Sequence, residues 1–308
     1  MKRKKIILLL ISLIFSSNVL FAEIKILLSV DDQVITNYDL IKESNYFEIL
    51  NPNVKKLNNN QKLNLAKNSL IKEIIKKNEI EKFKIVKNTN FMVDDYMDNF
   101  YRRLGFNSLK DFADILELKK NYTLDEIRNK IKIDFMWNDL IYSKYKNQVK
   151  IDKKEIITKV DSLKDKFEKE FLLSEIVFKK KKDKTIDAIS KEIKLSIQEI
   201  GFANTANIYS ESESSKFGGK IGWISEISLS KQVASKLKIL EIGGITNLIK
   251  IGNTFLILKI EDIKLNKKIT NREKEIQNLI IQETNSQLEK FSKIFFDKIK
   301  LNYSINEN

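Results

Sequence analysis

The chain has 308 residues, no cysteine and no histidine, and 56 basic against 42 acidic side chains, for a net charge of +14. Without cysteine there is no disulfide, no metal-thiolate site and no thiol nucleophile. Without histidine the usual zinc ligand and the usual general base are also gone. Carboxylates could still hold magnesium or calcium, but no loop has the acidic spacing such a site needs, so neither metal nor cofactor is expected. The stability of the fold must come from packed cores, and 42% apolar residues suffice for one or two of them. The lysines are scattered among asparagine and isoleucine and read as solvated surface rather than as a nucleic-acid or lipid patch.

Met1-Lys2-Arg3-Lys4-Lys5, the apolar run Ile6 to Phe15 and a short tail ending at Ala22 have the tripartite form of a secretory signal. Cleavage would start the mature chain near Glu23 and, by removing the four charges at positions 2 to 5, lower +14 to +10. Leu20 stands where a small residue is preferred, which leaves an uncleaved anchor as the alternative. No later run approaches the ~18 apolar residues of a bilayer span.

Ile24 to Val30 alternates as a strand, Asp31-Asp32 supplies a turn, and Gln33-Val34-Ile35 continues as a second strand. Thr36 caps a helix, with Asp39 in capping-box spacing. The helix expected over Gln61 to Lys82 carries Leu63, Ala66, Leu70, Ile74 and Ile75 on one face. Further caps are expected at Asp94, Ser108, Thr123 and Asp152, so residues 36 to 167 are read as mostly helical. The paired acids Asp94-Asp95 and Asp125-Glu126 are accounted for as helix starts.

After residue 167 the chain changes character, because seven of its eight glycines lie at 201, 218, 219, 222, 243, 244 and 252. Expected there are strand 170 to 178, helices 183 to 200 and 202 to 208, strand 220 to 224, helix 229 to 238, and a hairpin of 245 to 251 with 254 to 262. Lys179 to Lys184, the densest basic run, reads as the loop between the first of these strands and its helix. A long amphipathic helix follows from Thr270 to Lys300, its stripe running through Ile276, Leu279, Ile280, Leu288, Phe291, Ile294 and Phe295. Leu301 to Ile305 alternates as a last strand.

Phe217-Gly218-Gly219-Lys220-Ile221-Gly222-Trp223, Gly252-Asn253-Thr254-Phe255-Leu256-Ile257-Leu258-Lys259 and Leu173-Ser174-Glu175-Ile176-Val177-Phe178 together resemble a parvulin-type peptidyl-prolyl isomerase domain. The wider layout, opening with Ile26-Leu27-Leu28-Ser29-Val30-Asp31-Asp32-Gln33-Val34-Ile35-Thr36, resembles the SurA-like periplasmic chaperones. That resemblance implies an α+β fold. A split, mainly helical module would be built from residues 23–167 and completed by a helix and strand at 264–308, with a parvulin-like domain inserted at 168–263 and a signal peptide at 1–22.

The resemblance also locates an isomerase site. The family's two histidines fall at Glu175 and Leu256, its central Cys or Asp at Ser212, and its apolar cup at Leu229 and Val233; only Leu229 keeps the family's residue type. An isomerase has to lower a barrier of roughly 18–20 kcal/mol by favouring the twisted amide, so the site is expected to be silent. Glu175 is read as a solvated or lysine-paired carboxylate ending an edge strand, Leu256 as a filled core position, and Trp223 as packing beneath the site. Tyr209 and Phe217, on a loop facing the family's substrate groove, are the candidates for contacting a peptide, together with Leu229 of the cup.

The implied function is a periplasmic chaperone for unfolded outer-membrane proteins and aromatic-rich extended peptides, with no nucleic-acid partner. The client groove is expected between the N-terminal helices, the C-terminal helix and the inserted domain. An active peptidyl-prolyl isomerase and an assembly protein anchored in the inner membrane are the alternatives.

Overall fold

The computed structural model describes residues 24–84, 90–162, 168–180, 183–266 and 271–307. The expected signal segment 1–22 and the start at Glu23 lie outside these residues, as does part of the 179–184 loop.

Strand β1 (Ile26–Val30) turns through Asp31, at φ 48°, into β2 (Gln33–Thr36). On its other edge β1 takes β7 (Ile305–Glu307), pairing Leu28 with Glu307 and Val30 with Ile305. The first and last strands of the chain therefore share one sheet, in the order β2-β1-β7. The alternation at 301 to 305 does not mark a strand. Tyr303 turns inward to donate to Glu79, while Leu301 is left 85% exposed, and the ladder begins only at Ile305.

The helices are α1 (Asn37–Leu50), α2 (Asn59–Lys82), α3 (Asn90–Arg103), α4 (Leu109–Leu118), α5 (Leu124–Tyr145) and α6 (Lys153–Ser162). Thr36 with Asp39 and Thr123 with Glu126 close complete capping boxes, and Ser108 and Asp152 cap α4 and α6. Asp94 caps nothing. It lies in the second turn of α3 and accepts from Arg128, so the Asp94-Asp95 pair does not open a helix.

Helix α2 is buried on two sides rather than along the single expected stripe. Ala66, Ile71 and Ile75 face the main core and Leu65 faces Phe47, Val54 and Leu57, while Leu63 is at the surface. The main core joins Leu28, Val30 and Ile35 to α2, to Trp137 and Leu140 of α5, and to Phe295 and Ile299 of the C-terminal helix α10 (Arg272–Lys300). Leu279 of α10 packs on Ile156 and Val160 of α6. Ile294, expected in the buried stripe, is 62% exposed.

Between α6 and α10 comes a second sheet, in the order β4-β3-β6-β5 and antiparallel throughout. Its strands are β3 (Glu168–Lys179), β4 (Lys220–Ser225), β5 (Ile249–Ile251) and β6 (Thr254–Asn266). One face packs on α9 (Lys231–Leu237) through Val233 and Leu237. The other packs on α7 (Ile186–Ile200) and α8 (Phe202–Tyr209) through Ile189, Ile193, Phe202 and Ala206. Sheet and helices enclose their own apolar clusters, so the fold is α+β: a split helical module with a smaller sheet-centred domain inserted into it. Strand β6 runs to Asn266, three residues beyond the expected edge of that domain, and Asn266 is paired with Glu168.

Candidate functional site

The chain leaves α8 at Tyr209 and runs through Ser210 to a short 3-10 turn, Glu213–Phe217. Gly218 and Gly219 then bring it back along β3 at φ 69° and 80°. Position 219 has no room for a side chain, since a Cβ would lie 2.3 Å from the carbonyl oxygen of Glu175. The amide of Glu175 donates to the Gly219 carbonyl at 2.8 Å, which pins the turn to the middle of the sheet.

Glu175 is thus on a central strand, not an edge one, and no lysine pairs with it among the described residues. Its Oε1 accepts the hydroxyls of Ser212 at 2.6 Å and Ser214 at 2.9 Å. Ser212 Oγ also lies 3.3 Å from Glu289 Oε1 of α10. One hydroxyl hydrogen cannot serve two carboxylates, so a proton on either acid improves the cluster. Burial pushes the Glu175 carboxyl above its ordinary range and Glu289 adds to this, against the two serine hydrogen bonds and Lys293.

Glu175, Ser212 and Leu256 line a cavity of about 510 Å³ walled by α2, α10 and the inserted domain, in the place expected for the groove. Leu229 and Val233 are elsewhere, packed in the cluster between sheet and α9, with Val233 buried and Leu229 partly so. Leu256, itself buried, belongs to both places. Tyr209 ends helix α8 rather than lying on a loop. It packs under the sheet and donates to Glu192, and burial followed by that carboxylate pushes its phenol up to about 12. Phe217 reaches the helical module, edge-on to Phe100 at 6.4 Å and with the Arg103 guanidinium over its ring. Trp223 does not pack beneath the site; it is 39% exposed on strand β4, with Lys264 over its ring at 4.3 Å.

The charged cluster that joins the two halves was not foreseen. Glu213 meets Lys72 at 2.6 Å and Lys76 at 3.3 Å, while Asp134 meets Lys76 at 2.8 Å and Lys216 at 3.6 Å. Burial alone would raise the Glu213 carboxyl, but Lys76, Lys72 and Lys216 outweigh it and hold the group well below the usual carboxylate range. Protein surrounds Glu213, yet its side chain is 46% exposed, because it faces cavity space. The available signals were the four-residue spacing of Lys72 and Lys76, which puts both on one face of α2, and the Glu213–Lys216 pair. Beside the cluster, Asn51 donates to Asn207 at 2.6 Å, and Ile200 and Ile208 pack on Phe47, Val54, Leu57 and Leu65. On the α10 side the contacts are polar: Lys293 with Glu211 at 2.6 Å, and Lys179 with Asp297.

Residues 170–262 match the model of the rotamase family, the PPIC-type peptidyl-prolyl isomerase domain. The inserted domain is of the parvulin type. No curated protein matches the chain. Among solved structures, one reported for the SurA-like chaperones PEB4 and Cj1289 of Campylobacter jejuni is 16% identical, covering 92% of this chain and 98% of that one at a TM-score of 0.34. PrsA of Bacillus subtilis is 15% identical over 88% of this chain and 89% of its own, at 0.30. A PpiC-type isomerase domain is 24% identical over 32% of this chain and 94% of its own, at 0.29. No helix among the described residues is long and apolar enough to cross a membrane.

Proposed function

We propose that the protein is a periplasmic chaperone of the SurA-like class. It would hold unfolded outer-membrane polypeptides in extended form in the cleft between α2, α10 and the parvulin-type domain. On this reading residues 1–22 are a cleaved signal, 23–167 and 264–308 form the split module, and 168–263 form the inserted domain.

The observation that carries the reading is where the isomerase positions lie. Glu175, Ser212 and Leu256 open into a cavity shared with the helical module, and neither histidine position holds a histidine. Serine hydroxyls and the Glu175 carboxyl offer hydrogen bonds to a peptide backbone, and Phe47, Leu65 and Phe296 offer apolar contact. Strands of a membrane barrel alternate polar and apolar side chains, a pattern that such a mixed lining suits. The domain then serves as a binding wall rather than as a rotamase.

The test is aggregation of a denatured outer-membrane β-barrel protein, followed by light scattering as the purified chain from Glu23 is added. Suppression near stoichiometric ratio supports the proposal, and none at any ratio with a folded sample overturns it. A proline test peptide should isomerise in its presence at the uncatalysed rate, over tens to hundreds of seconds. Catalysis clearly above that rate would instead make the domain an active isomerase.

A further inference from the structure

A second cavity of about 490 Å³ lies beside the first. It is walled by α1, α2, α3, α5, α10 and the 213–217 turn, and its lining sets the aromatic side chains Tyr46, Tyr96, Phe100 and Phe217 among charged ones such as Glu43 and Lys130. Lys72, Lys76, Trp137, Glu213 and Lys216 are among the residues that line both cavities, so they form part of the partition between them. Trp137 is its fixed part, being 1% exposed in the main core. Buried Phe47 adds to that fixed part, and the movable part is made of charged side-chain ends on long stems: Glu213 reaching Lys72 and Lys76, and Lys216 reaching Asp134.

We propose that the Glu213 bridge to Lys72 and Lys76 is a length-sensitive gate between two chambers of one groove, weighing against extended polypeptide segments long enough to occupy both. The inference rests on the cleft being the client site. The first chamber, with its hydroxyls and carboxyls, takes one stretch of an extended chain; the aromatic chamber takes side chains further along. A strand advances ~3.3 Å per residue, so a segment of a few residues fills one chamber and only a longer one must displace the bridge. Short segments bind without disturbing the ion pairs, whereas long ones lose part of their binding energy in separating them.

Two labelled aromatic-rich peptides, of about five and about ten residues with the same repeating sequence, measure the gate by fluorescence anisotropy on the chain from Glu23. In Glu213→Gln the ratio of long-peptide to short-peptide affinity should rise about tenfold over the parent. Lys72→Met removes one cation from the bridge and leaves Glu213 compensated by Lys76 and Lys216. It should raise the same ratio and serves if the first variant does not fold. An unchanged or lowered ratio in a folded variant overturns the gate while leaving the client reading intact. Failure of parent and variants alike to bind either peptide overturns both readings. A long peptide captured only by the variants supports the gate.

Discussion

At the scale of single residues, Glu175 and Glu43 make opposite statements about pH. Burial raises the Glu175 carboxyl, so the folded state takes up its proton more readily than the unfolded chain. That acid lowers stability as pH climbs from its ordinary value near 4.5 through the raised one. Glu175→Gln keeps an oxygen for Ser212 and Ser214 and cannot ionise. In urea titrations it should be more stable than the parent at pH 7, with the gap closing toward pH 4.5. A gap that is absent or reversed would mean the acid is ordinarily ionised.

Glu43 is 2% exposed and accepts from Lys130, Ser69 and Tyr122. Burial works to raise it, and Lys130 with the hydrogen bonds more than offsets this. Its contribution is therefore present above its ordinary value and lost as pH falls through the lowered one. Glu43→Gln leaves the Lys130 ammonium paired with Glu73 but removes the charged acceptor of Lys130, Ser69 and Tyr122, and should cost about 2 kcal/mol at neutral pH. Glycines separate in the same way. Gly219→Ala meets the Glu175 carbonyl and should cost roughly 2–4 kcal/mol, but Gly222→Ala, at φ 89° with open space around it, only the ~1–2 kcal/mol of its backbone. Capping residues were legible in the sequence because a cap is decided within four positions. The environment of Glu175 was not, because the serines and Glu289 that set it lie 37 to over 100 positions away.

Among elements, local periodicity located most helices and strands but left open what each would pack against. Strand β3 reads the same at an edge or in a centre; β4 and β6, arriving from far along the chain, make it central. Helix α10 shows the same limit, since its apolar residues wrap far enough around to suggest Ile294 beside Phe295. Phe295 stacks on Trp137 with ring centroids 5.6 Å apart and is 7% exposed, while Ile294 faces out. Phe295→Ala should therefore cost about 3–5 kcal/mol in thermal or urea unfolding and Ile294→Ala less than about 0.5. Comparable losses at the two positions would show that the helix is rotated from this packing. The Glu213 cluster was beyond local reading, because its members come from α2, α5 and the 213–217 turn and are neighbours only once the inserted domain is docked.

For the whole molecule, the pairing of Glu168 with Asn266 means that the inserted domain's two ends leave the sheet side by side. Strand partners have Cα atoms about 5 Å apart, so a short Gly-Ser linker can replace residues 168–266 without pulling α6 from α10. The excised chain should keep one cooperative unfolding transition by circular dichroism. Stopping the chain at residue 271 should instead uncover Trp137, shift its emission to the red and abolish that transition. A truncated chain that melts cooperatively would show that α10 is dispensable to the core.

The pairing of β1 with β7 also dictates an order of events during synthesis. Leu28 meets Glu307 and Val30 meets Ile305, so the first strand made waits for the last. At about 5–20 residues per second, that wait is on the order of tens of seconds. The parvulin-type domain, whose strands all lie within residues 168–266, is complete earlier. Throughout the interval Val30, Ile35 and Trp137 lack the cover of α10, and β1 has an unpaired edge. A newborn copy thus passes through a state with the uncovered apolar surface and open strand of the polypeptides it is proposed to hold, and a finished copy is a ready guardian for it.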